Sequence, residues 1–218
     1  MGGAEVADRR VKRGRFITLE GGEGAGKSTQ AALIADALRA RGTDVVVTRE
    51  PGGTPGAEAI RHLLMTGDQD RWTSPAEALL FAAARADHVE KIIRPALDRG
   101  AWVICDRFID SSRAYQGGAG GVSDDDIMML HRVGSGDLMP DRTFLLMVSN
   151  ADAADRVRRR IEVDKDRFGG RDAAYHHRLA AAFRNFADNE PARFRSVDAS
   201  GSVAAITKML MQELGDLL

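Results

Sequence analysis

Gly21-Gly-Glu-Gly-Ala-Gly-Lys-Ser28 decides the fold of this 218-residue chain, because it matches the phosphate-binding pattern G-x-x-x-x-G-K-[ST]. The segment follows the apolar run Phe16–Glu20 and precedes a helical pattern that begins at Lys27. Its glycines allow sharp turns that point backbone N–H groups inward, and the helix N-terminus adds a favourable partial charge for an anion. The segment therefore predicts a phosphate cradle, a P-loop, rather than an ordinary glycine-rich turn.

The side chains of the cradle predict its ligands. In P-loops the lysine reaches the β- and γ-phosphates and the hydroxyl that follows it binds Mg²⁺, so we expect these roles for Lys27 and Ser28 with ATP and Mg²⁺. The expected nucleotide-binding set is Gly21, Gly22, Glu23, Gly24, Ala25, Gly26, Lys27, Ser28 and Thr29.

Outward from the cradle, five short apolar runs alternate with helical patterns. The predicted strands are 16–20, 44–48, 101–106, 143–148 and 193–198, and the predicted helices are 27–41, 54–66, 74–99, 123–135, 151–160, 173–189 and 202–217. Apolar strands separated by helices predict an α/β fold, a three-layer α/β/α domain with a five-stranded parallel sheet. Pro95 should kink or end the third helix, and 117–121 (GGAGG) should form a flexible loop.

Two charged residues, Asp106 and Arg107, stand at the end of the third predicted strand. Asp106 ends that strand, so it should lie at the carboxyl edge of the sheet, where ligands of such folds bind. We expect it to ligate Mg²⁺ directly or through water, with a helix cap or turn as the alternative. Arg107 could bind an acceptor phosphate with its two parallel donors. Lys27, Asp106 and Arg107 are thus catalytic candidates.

Composition excludes several classes of protein. The net charge of −1 argues against general nucleic-acid binding, and no apolar run reaches membrane-spanning length. The single cysteine, Cys105, excludes an intrachain disulfide and fits a reducing compartment. Residues 1–14 lack the apolar stretch of a signal peptide and are expected to be a flexible tail, so the cytoplasm is the expected location.

These motifs say less about which molecule accepts the phosphoryl group than about the nucleotide that donates it. A GTPase would need an Asn-Lys-x-Asp loop, yet no asparagine of this chain precedes a lysine. Phe81 and Arg85 are four residues apart on one predicted helix face and could read a flat base, although a core role is the alternative for Phe81. Tyr115 and Gln116, which follow Asp106 along the chain, could close the same pocket.

Four segments together resemble the thymidylate (dTMP) kinase family from Arg15 onward. They are LEGGEGAGKST at 19–29, TREPGGT at 48–54, the Asp106-Arg107 pair followed by an aromatic residue, and AYQGG at 114–118. The resemblance implies a nucleoside monophosphate kinase-like domain over 15–218. It also implies phosphorylation of dTMP to dTDP by ATP and Mg²⁺ in dTTP biosynthesis, and a homodimer built from helices on one face.

The resemblance also implies substrate contacts. Glu23 would bond the 3′-hydroxyl of dTMP, Phe81 would stack on thymine, and Arg85 would bond a ring carbonyl. Arg49 and Arg107 would hold the acceptor phosphate. The other implied substrate-binding residues are Pro51 after a cis bond, Ser112, Tyr115 beside the sugar and ring, Gln116 as a base contact and, as a weaker candidate that could equally form a structural ion pair, Arg61.

The charged segment at about 156–171 (RVRRRIEVDKDRFGGR) is either a solvated helix end or a mobile lid. The resemblance favours a lid of the bacterial type that supplies a catalytic arginine, because the P-loop itself contains none. Arg167 matches that arginine best, and Arg160 is second. Two residues depart from the family pattern: Phe108 replaces a polar aromatic, and Arg113 could touch the acceptor phosphate or face solvent.

Two other functions remain open from the sequence. The chain could phosphorylate a different nucleoside monophosphate, or it could be a P-loop protein that binds ATP without an acceptor. A substrate panel and a test for dTMP-dependent ADP release separate these alternatives.

Overall fold

The computed structural model describes residues 13–148 and 171–218. The predicted tail up to residue 12, the predicted helix 151–160 and the lid up to residue 170, with Arg160 and Arg167, lie outside the described residues. Gly14, assigned to the tail from sequence, is buried and its N–H donates to the carbonyl of Leu97 at 2.8 Å. The folded part of the chain therefore begins before Arg15.

Five strands form one parallel sheet in the order β2-β3-β1-β4-β5. They are β1 (Phe16–Glu20), β2 (Val45–Arg49), β3 (Trp102–Asp106), β4 (Arg142–Met147) and β5 (Phe194–Asp198). The central strands β1 and β3 are almost completely buried, as expected for a sheet covered on both faces. The predicted fold class is confirmed, including the arginine-containing last strand.

The helices of the described residues are α1 (Lys27–Arg39), α2 (Pro55–Met65), α3 (Ser74–His88), α4 (Arg94–Asp98), α5 (Ile109–Ser112), α6 (Asp124–Ser135), α7 (Ala173–Asn189) and α8 (Val203–Glu213). Several begin at a side chain that accepts a backbone N–H. Thr54 precedes α2, Ser123 precedes α6 and Ser202 precedes α8 in this role. Such caps satisfy N–H groups that have no partner within the helix.

The two faces of the sheet carry separate apolar cores. On one face, Ile17, Leu19 and Ile104 pack against α1 and α8. On the other face, Phe16 and Val103 pack against the α3–α4 region and α6, while β4 and β5 support α7. Alternate residues of β1 thus point to opposite layers, which gives the three-layer arrangement.

Two helical regions differ from the sequence expectation. The predicted helix 74–99 widens into a π-helical turn at Val89–Ile93, which ends two residues before Pro95, and the chain remains helical through Asp98. The wider turn accommodates a proline, which lacks an N–H and would clash within a regular helix. Similarly, Arg113–Gly118 is a largely buried π-helical turn, so the expected loop at 117–121 begins inside a helical segment.

None of the helices within 13–148 and 171–218 combines the length and apolarity needed to cross a bilayer.

Candidate active site

The P-loop joins β1 to α1 at the carboxyl edge of the sheet, as predicted. Three of its glycines have positive φ angles: Gly21 at 131°, Gly24 at 71° and Gly26 at 90°. At Gly21 a Cβ atom would lie 2.4 Å from the carbonyl oxygen of Leu146 on β4, whereas a Cβ at Gly22 would meet nothing within 4 Å. Only the first of these two neighbouring glycines is therefore required by sterics.

Lys27 is buried at the start of α1 and folds back over the loop. Its ammonium donates to the carbonyl oxygens of Gly21 at 3.2 Å and Gly22 at 2.7 Å. Burial, followed by the positive charge of Arg107, lowers the pKa of Lys27 to about 7, while Asp106 opposes the shift. A bound anion such as a phosphate would raise the pKa of Lys27 again and so favour its charged form. This behaviour is expected of a lysine that binds phosphate.

Two oxygen groups meet between the P-loop and β3. The hydroxyl of Ser28 donates to a carboxylate oxygen of Asp106 at 2.5 Å. A hydroxyl and a carboxylate are hard oxygen donors of the type that Mg²⁺ prefers, and Mg²⁺ commonly takes one or two protein ligands beside phosphates and water. The residues present therefore fit the predicted metal pair.

Arg107 stands between the P-loop and a neighbouring cleft. It has a positive φ of 70°, and its guanidinium donates to the carbonyl of Gly21 at 3.0 Å and to the hydroxyl of Ser111 at 3.2 Å. The same group lies 5.1 Å from the ring centre of Tyr115. The guanidinium of Arg107 is thus held at the boundary between the P-loop and the cleft, where it could contact phosphates bound on either side.

A cleft that opens to solvent lies beside Arg107. It is lined by Glu23, Glu50, Pro51, Arg61, Met65, Phe81, Arg85, Arg107, Phe108, Ser111, Ser112, Tyr115 and Gln116. The structure therefore brings together every predicted substrate-binding residue except Arg49. The mixture of aromatic walls and charged ends in this lining suits a nucleotide.

A buried ion pair holds Arg85 at the cleft wall. Its Nε donates to the Glu50 carboxylate at 2.8 Å and one Nη donates to the Ser112 hydroxyl at 2.8 Å. The second carboxylate oxygen of Glu50 lies 3.1 Å from Nδ1 of His88, whose Nε2 lies 2.7 Å from the Thr48 hydroxyl. The Glu50–Pro51 bond is cis, as the resemblance implied.

Arg49 lies outside the cleft lining. Its guanidinium pairs with Glu58 at 3.2 Å, and 55% of its side chain is exposed. The weaker candidate Arg61 does line the cleft, where its guanidinium donates to the carbonyl of Pro51 at 3.0 Å. The family resemblance implied that Arg49 holds the acceptor phosphate, but it did not reveal that the turn after Arg49 brings Glu50 and Pro51 into the cleft lining instead.

Glu20 was missed from the sequence, although it directly precedes the P-loop. Its fully buried carboxylate accepts the N–H of Phe108 at 2.8 Å, and the N–H and hydroxyl of Ser111 at 3.2 and 2.5 Å. Burial raises the pKa of Glu20 to about 7, with the charge of Asp110 adding to the shift. A glutamate at the end of a short, mostly apolar strand was the available signal.

The two departures from the family pattern have structural roles. Phe108 is fully buried and packs edge-on against Phe16, with ring centres 4.8 Å apart. Arg113 neither faces solvent nor lines the cleft: it pairs with Asp110 at 3.1 Å, with Asp124 at 2.8 Å and with Glu190 at 2.7 Å. Both expected positions for Arg113 were therefore wrong, because carboxylates from three separate segments converge on it.

Comparisons with known proteins agree on one family. The family model for thymidylate kinase matches residues 19–210. A thymidylate kinase from Rhizorhabdus wittichii is 60% identical over 205 residues, covering 94% of this chain and 99% of that protein. One from Bradyrhizobium sp. is 47% identical over 218 residues, covering 98% of this chain and 96% of that protein.

A solved structure gives the same result at the level of the fold. The crystal structure of thymidylate kinase from Ehrlichia chaffeensis superimposes with a TM-score of 0.74 at 32% identity, covering 93% of this chain and 99% of that one.

Proposed function

Since the chain belongs to the thymidylate kinase family, it is a phosphotransferase that converts dTMP to dTDP, and we propose that ATP with Mg²⁺ is its phosphoryl donor. The observation that carries the proposal is the shared boundary of two sites. Glu23 belongs to the P-loop and also lines the cleft, while Arg107 contacts the carbonyl of Gly21 and lines the cleft. Two nucleotides bound at these sites would meet end to end at Arg107.

The donor half of the proposal rests on the P-loop. The backbone of 21–26 and Lys27 would hold the phosphates of ATP, with Thr29 at the start of α1 beside them. Ser28 and Asp106 would hold Mg²⁺, which when bound neutralises charge on the phosphates. Lys27 and Arg107 supply positive charge from the protein where negative charge spreads during transfer.

The acceptor half of the proposal rests on the cleft. Phe81 would stack on the thymine ring, and Arg85, fixed by Glu50, would donate to a ring carbonyl. Glu23 would accept from the 3′-hydroxyl, and Tyr115 would crowd the 2′ position. Pro51 and Ser112 would complete the wall, and Gln116 would contact the base. Arg107 would hold the phosphate; Arg49 remains a predicted second phosphate ligand.

We also propose that a lid at about 156–171 supplies the last positive charge, with Arg167 as the catalytic arginine. The P-loop contains no arginine, and this segment is rich in them. A guanidinium that reaches the transferring group stabilises charge that develops only in the transition state.

A coupled assay of ADP release, run with and without dTMP, tests the proposed function. We expect ADP release to depend on dTMP and on Mg²⁺, and dTMP to be preferred clearly over dUMP, dCMP and dGMP. Preference for another monophosphate would favour a different nucleoside monophosphate kinase. Slow ATP hydrolysis without dependence on any acceptor would instead favour an ATP-binding protein that is not a kinase.

We further propose that the chain works as a homodimer in the cytoplasm, with neighbouring helices α3 and α6 at the interface. Leu79 on α3 and Met129 and Val133 on α6 are large apolar side chains exposed by 57%, 54% and 81%. Exposed apolar groups on adjacent helices are typical of protein interfaces. Val133→Asp should give a monomer by analytical ultracentrifugation, whereas Val203→Asp on α8 should not; a wild-type monomer would contradict the proposal.

A further inference from the structure

Glu77 lies just outside the cleft at the start of α3, and only 2% of its surface is exposed. One of its carboxylate oxygens accepts from the side-chain amide nitrogen of Gln116 at 3.3 Å. The other accepts from the guanidinium of Arg171 at 3.2 Å. Glu77 therefore touches a cleft residue from behind without lining the cleft itself.

The chemistry of this contact fixes the orientation of the Gln116 amide. A carboxylate has no proton to donate, so the group that Gln116 presents to it must be the NH₂ end. The guanidinium of Arg171 forms an ion pair with the same carboxylate at 3.2 Å. With the nitrogen held by Glu77, the carbonyl oxygen of Gln116 is the end available to a molecule in the cleft.

The surroundings limit the freedom of this arrangement. The Arg171 guanidinium lies 4.8 Å from the ring centre of Tyr175, and the Tyr175 hydroxyl donates to the carbonyl of Tyr115 at 3.3 Å. Gln116 itself is only 1% exposed. An amide held among packed neighbours loses little further entropy when a ligand binds, so its orientation can discriminate between ligands.

Pyrimidine bases differ at the atom that such an oxygen would meet. Thymine has a hydrogen on ring nitrogen N3 and can donate, whereas N3 of cytosine is an acceptor. A site that presents an oxygen to N3 pairs with thymine and leaves two acceptors facing each other with cytosine. Discrimination based on unpaired polar groups is stronger than discrimination based on size alone.

We propose that Glu77 is a positioning residue for base specificity: it holds the Gln116 amide with its oxygen toward the cleft, so that the site selects a pyrimidine with a proton on N3. This inference rests on the proposed binding of the dTMP base in the cleft. Glu77 acts through Gln116 and does not touch the substrate.

Glu77→Gln tests the proposal, because a glutamine at this position can accept or donate and allows the Gln116 amide to turn over. The measured quantity is the ratio of kcat/KM for dTMP to that for 5-methyl-dCMP, which has the thymine shape without the N3 proton. We expect the ratio to fall roughly tenfold, which corresponds to about 1.4 kcal/mol and lies in the range of one buried hydrogen bond. The kcat at saturating dTMP should change much less.

Three further variants separate a change in amide orientation from damage to the fold. In a Gln116→Ala background, Glu77→Gln should change the ratio no further, because the amide through which it acts is gone. Glu190→Gln is a matched control: it weakens ion pairs with Arg113 and Arg193 outside the cleft and should leave the ratio unchanged. Glu77→Asp keeps the charge but shortens the side chain, so it should also lower the ratio and serves if Glu77→Gln does not fold.

The proposal is overturned if folded Glu77 variants keep the wild-type ratio. It is equally overturned if Glu190→Gln lowers the ratio as much, or if Glu77→Gln still lowers it in the Gln116→Ala background. These failures are distinct from failure of the proposed function, which would show as wild-type protein without dTMP-dependent ADP release.

Discussion

The P-loop and the cleft beside it are built in opposite ways. The P-loop uses eight consecutive residues, and its shape comes from backbone angles at glycines such as Gly21 and Gly26. The cleft is lined mainly by side chains from the turn after β2, from α2 and α3, and from the chain after β3, and its shape comes from polar contacts such as Arg85 with Glu50. The P-loop should therefore be disrupted most by substitutions that strain its backbone. The cleft should be disrupted most by substitutions that remove the polar partner of one of its side chains.

The proposed lid arginine, Arg167, belongs in sequence to neither region, and its loss should give the largest effect. We expect Arg167→Ala to lower kcat by roughly 10³-fold or more, because its charge is used only in the transition state. The Kd of dTMP should change little. Steady-state kinetics measures kcat and KM, and calorimetric titration with dTMP measures Kd. A raised KM with unchanged kcat would mean that Arg167 binds substrate instead.

Adjacent glycines of the P-loop test its dependence on backbone shape. Gly21→Ala should lower the free energy of unfolding by about 3 kcal/mol or more, because the new methyl would meet the carbonyl oxygen of Leu146 at a positive φ. Gly22→Ala, which adds the same methyl in open space, should change it by less than about 1 kcal/mol. Urea unfolding measures the free energy of unfolding of both variants. An equal decrease in the two would show that the steric clash at Gly21 is not the cause.

Loss of a partner tests the cleft. Glu50→Gln removes the charge that faces buried Arg85, so the free energy of unfolding should fall by about 3 kcal/mol. The KM for dTMP should rise more than that for ATP, since Arg85 lines only the cleft. Glu58→Gln breaks a solvent-exposed pair with Arg49 and should cost less than about 1 kcal/mol. A similar decrease in the free energy of unfolding of Glu50→Gln and Glu58→Gln would show that the buried ion pair matters no more than the exposed one.

The smallest effect is a proton taken up when ATP binds. With its pKa lowered to about 7, Lys27 is mostly neutral in the free protein at about pH 8 and becomes charged beside phosphates. Binding should therefore take up as much as about one proton per site, and less as the pH falls through 7. Calorimetry in buffers with different ionisation enthalpies measures this uptake. Lys27→Met should abolish it, and equal uptake in that variant would rule out Lys27.

The same contrast explains what could be predicted from the sequence. The strands, the P-loop and Asp106 were predictable because apolar runs and a contiguous motif report local structure directly. The contacts of Arg113 and the role of Glu20 were not, because their partners lie far away along the chain, as Glu190 does from Arg113. Arg49 and Arg61 show the intermediate case: motif and helix pattern identified both arginines, but only the folded turn at Pro51 decides which one faces the cleft.

Glu20 joins the two regions that otherwise differ so much. It is the last residue of β1, directly before the P-loop, and it binds the N–H groups of Phe108 and Ser111 beside the cleft. The proposed donor and acceptor sites are thus both anchored to one carboxylate. Redesign of the acceptor site that shifted the 107–111 turn would also shift the donor site, so a change of substrate in this scaffold should be sought in the outer wall at Phe81 and Gln116, away from Glu20.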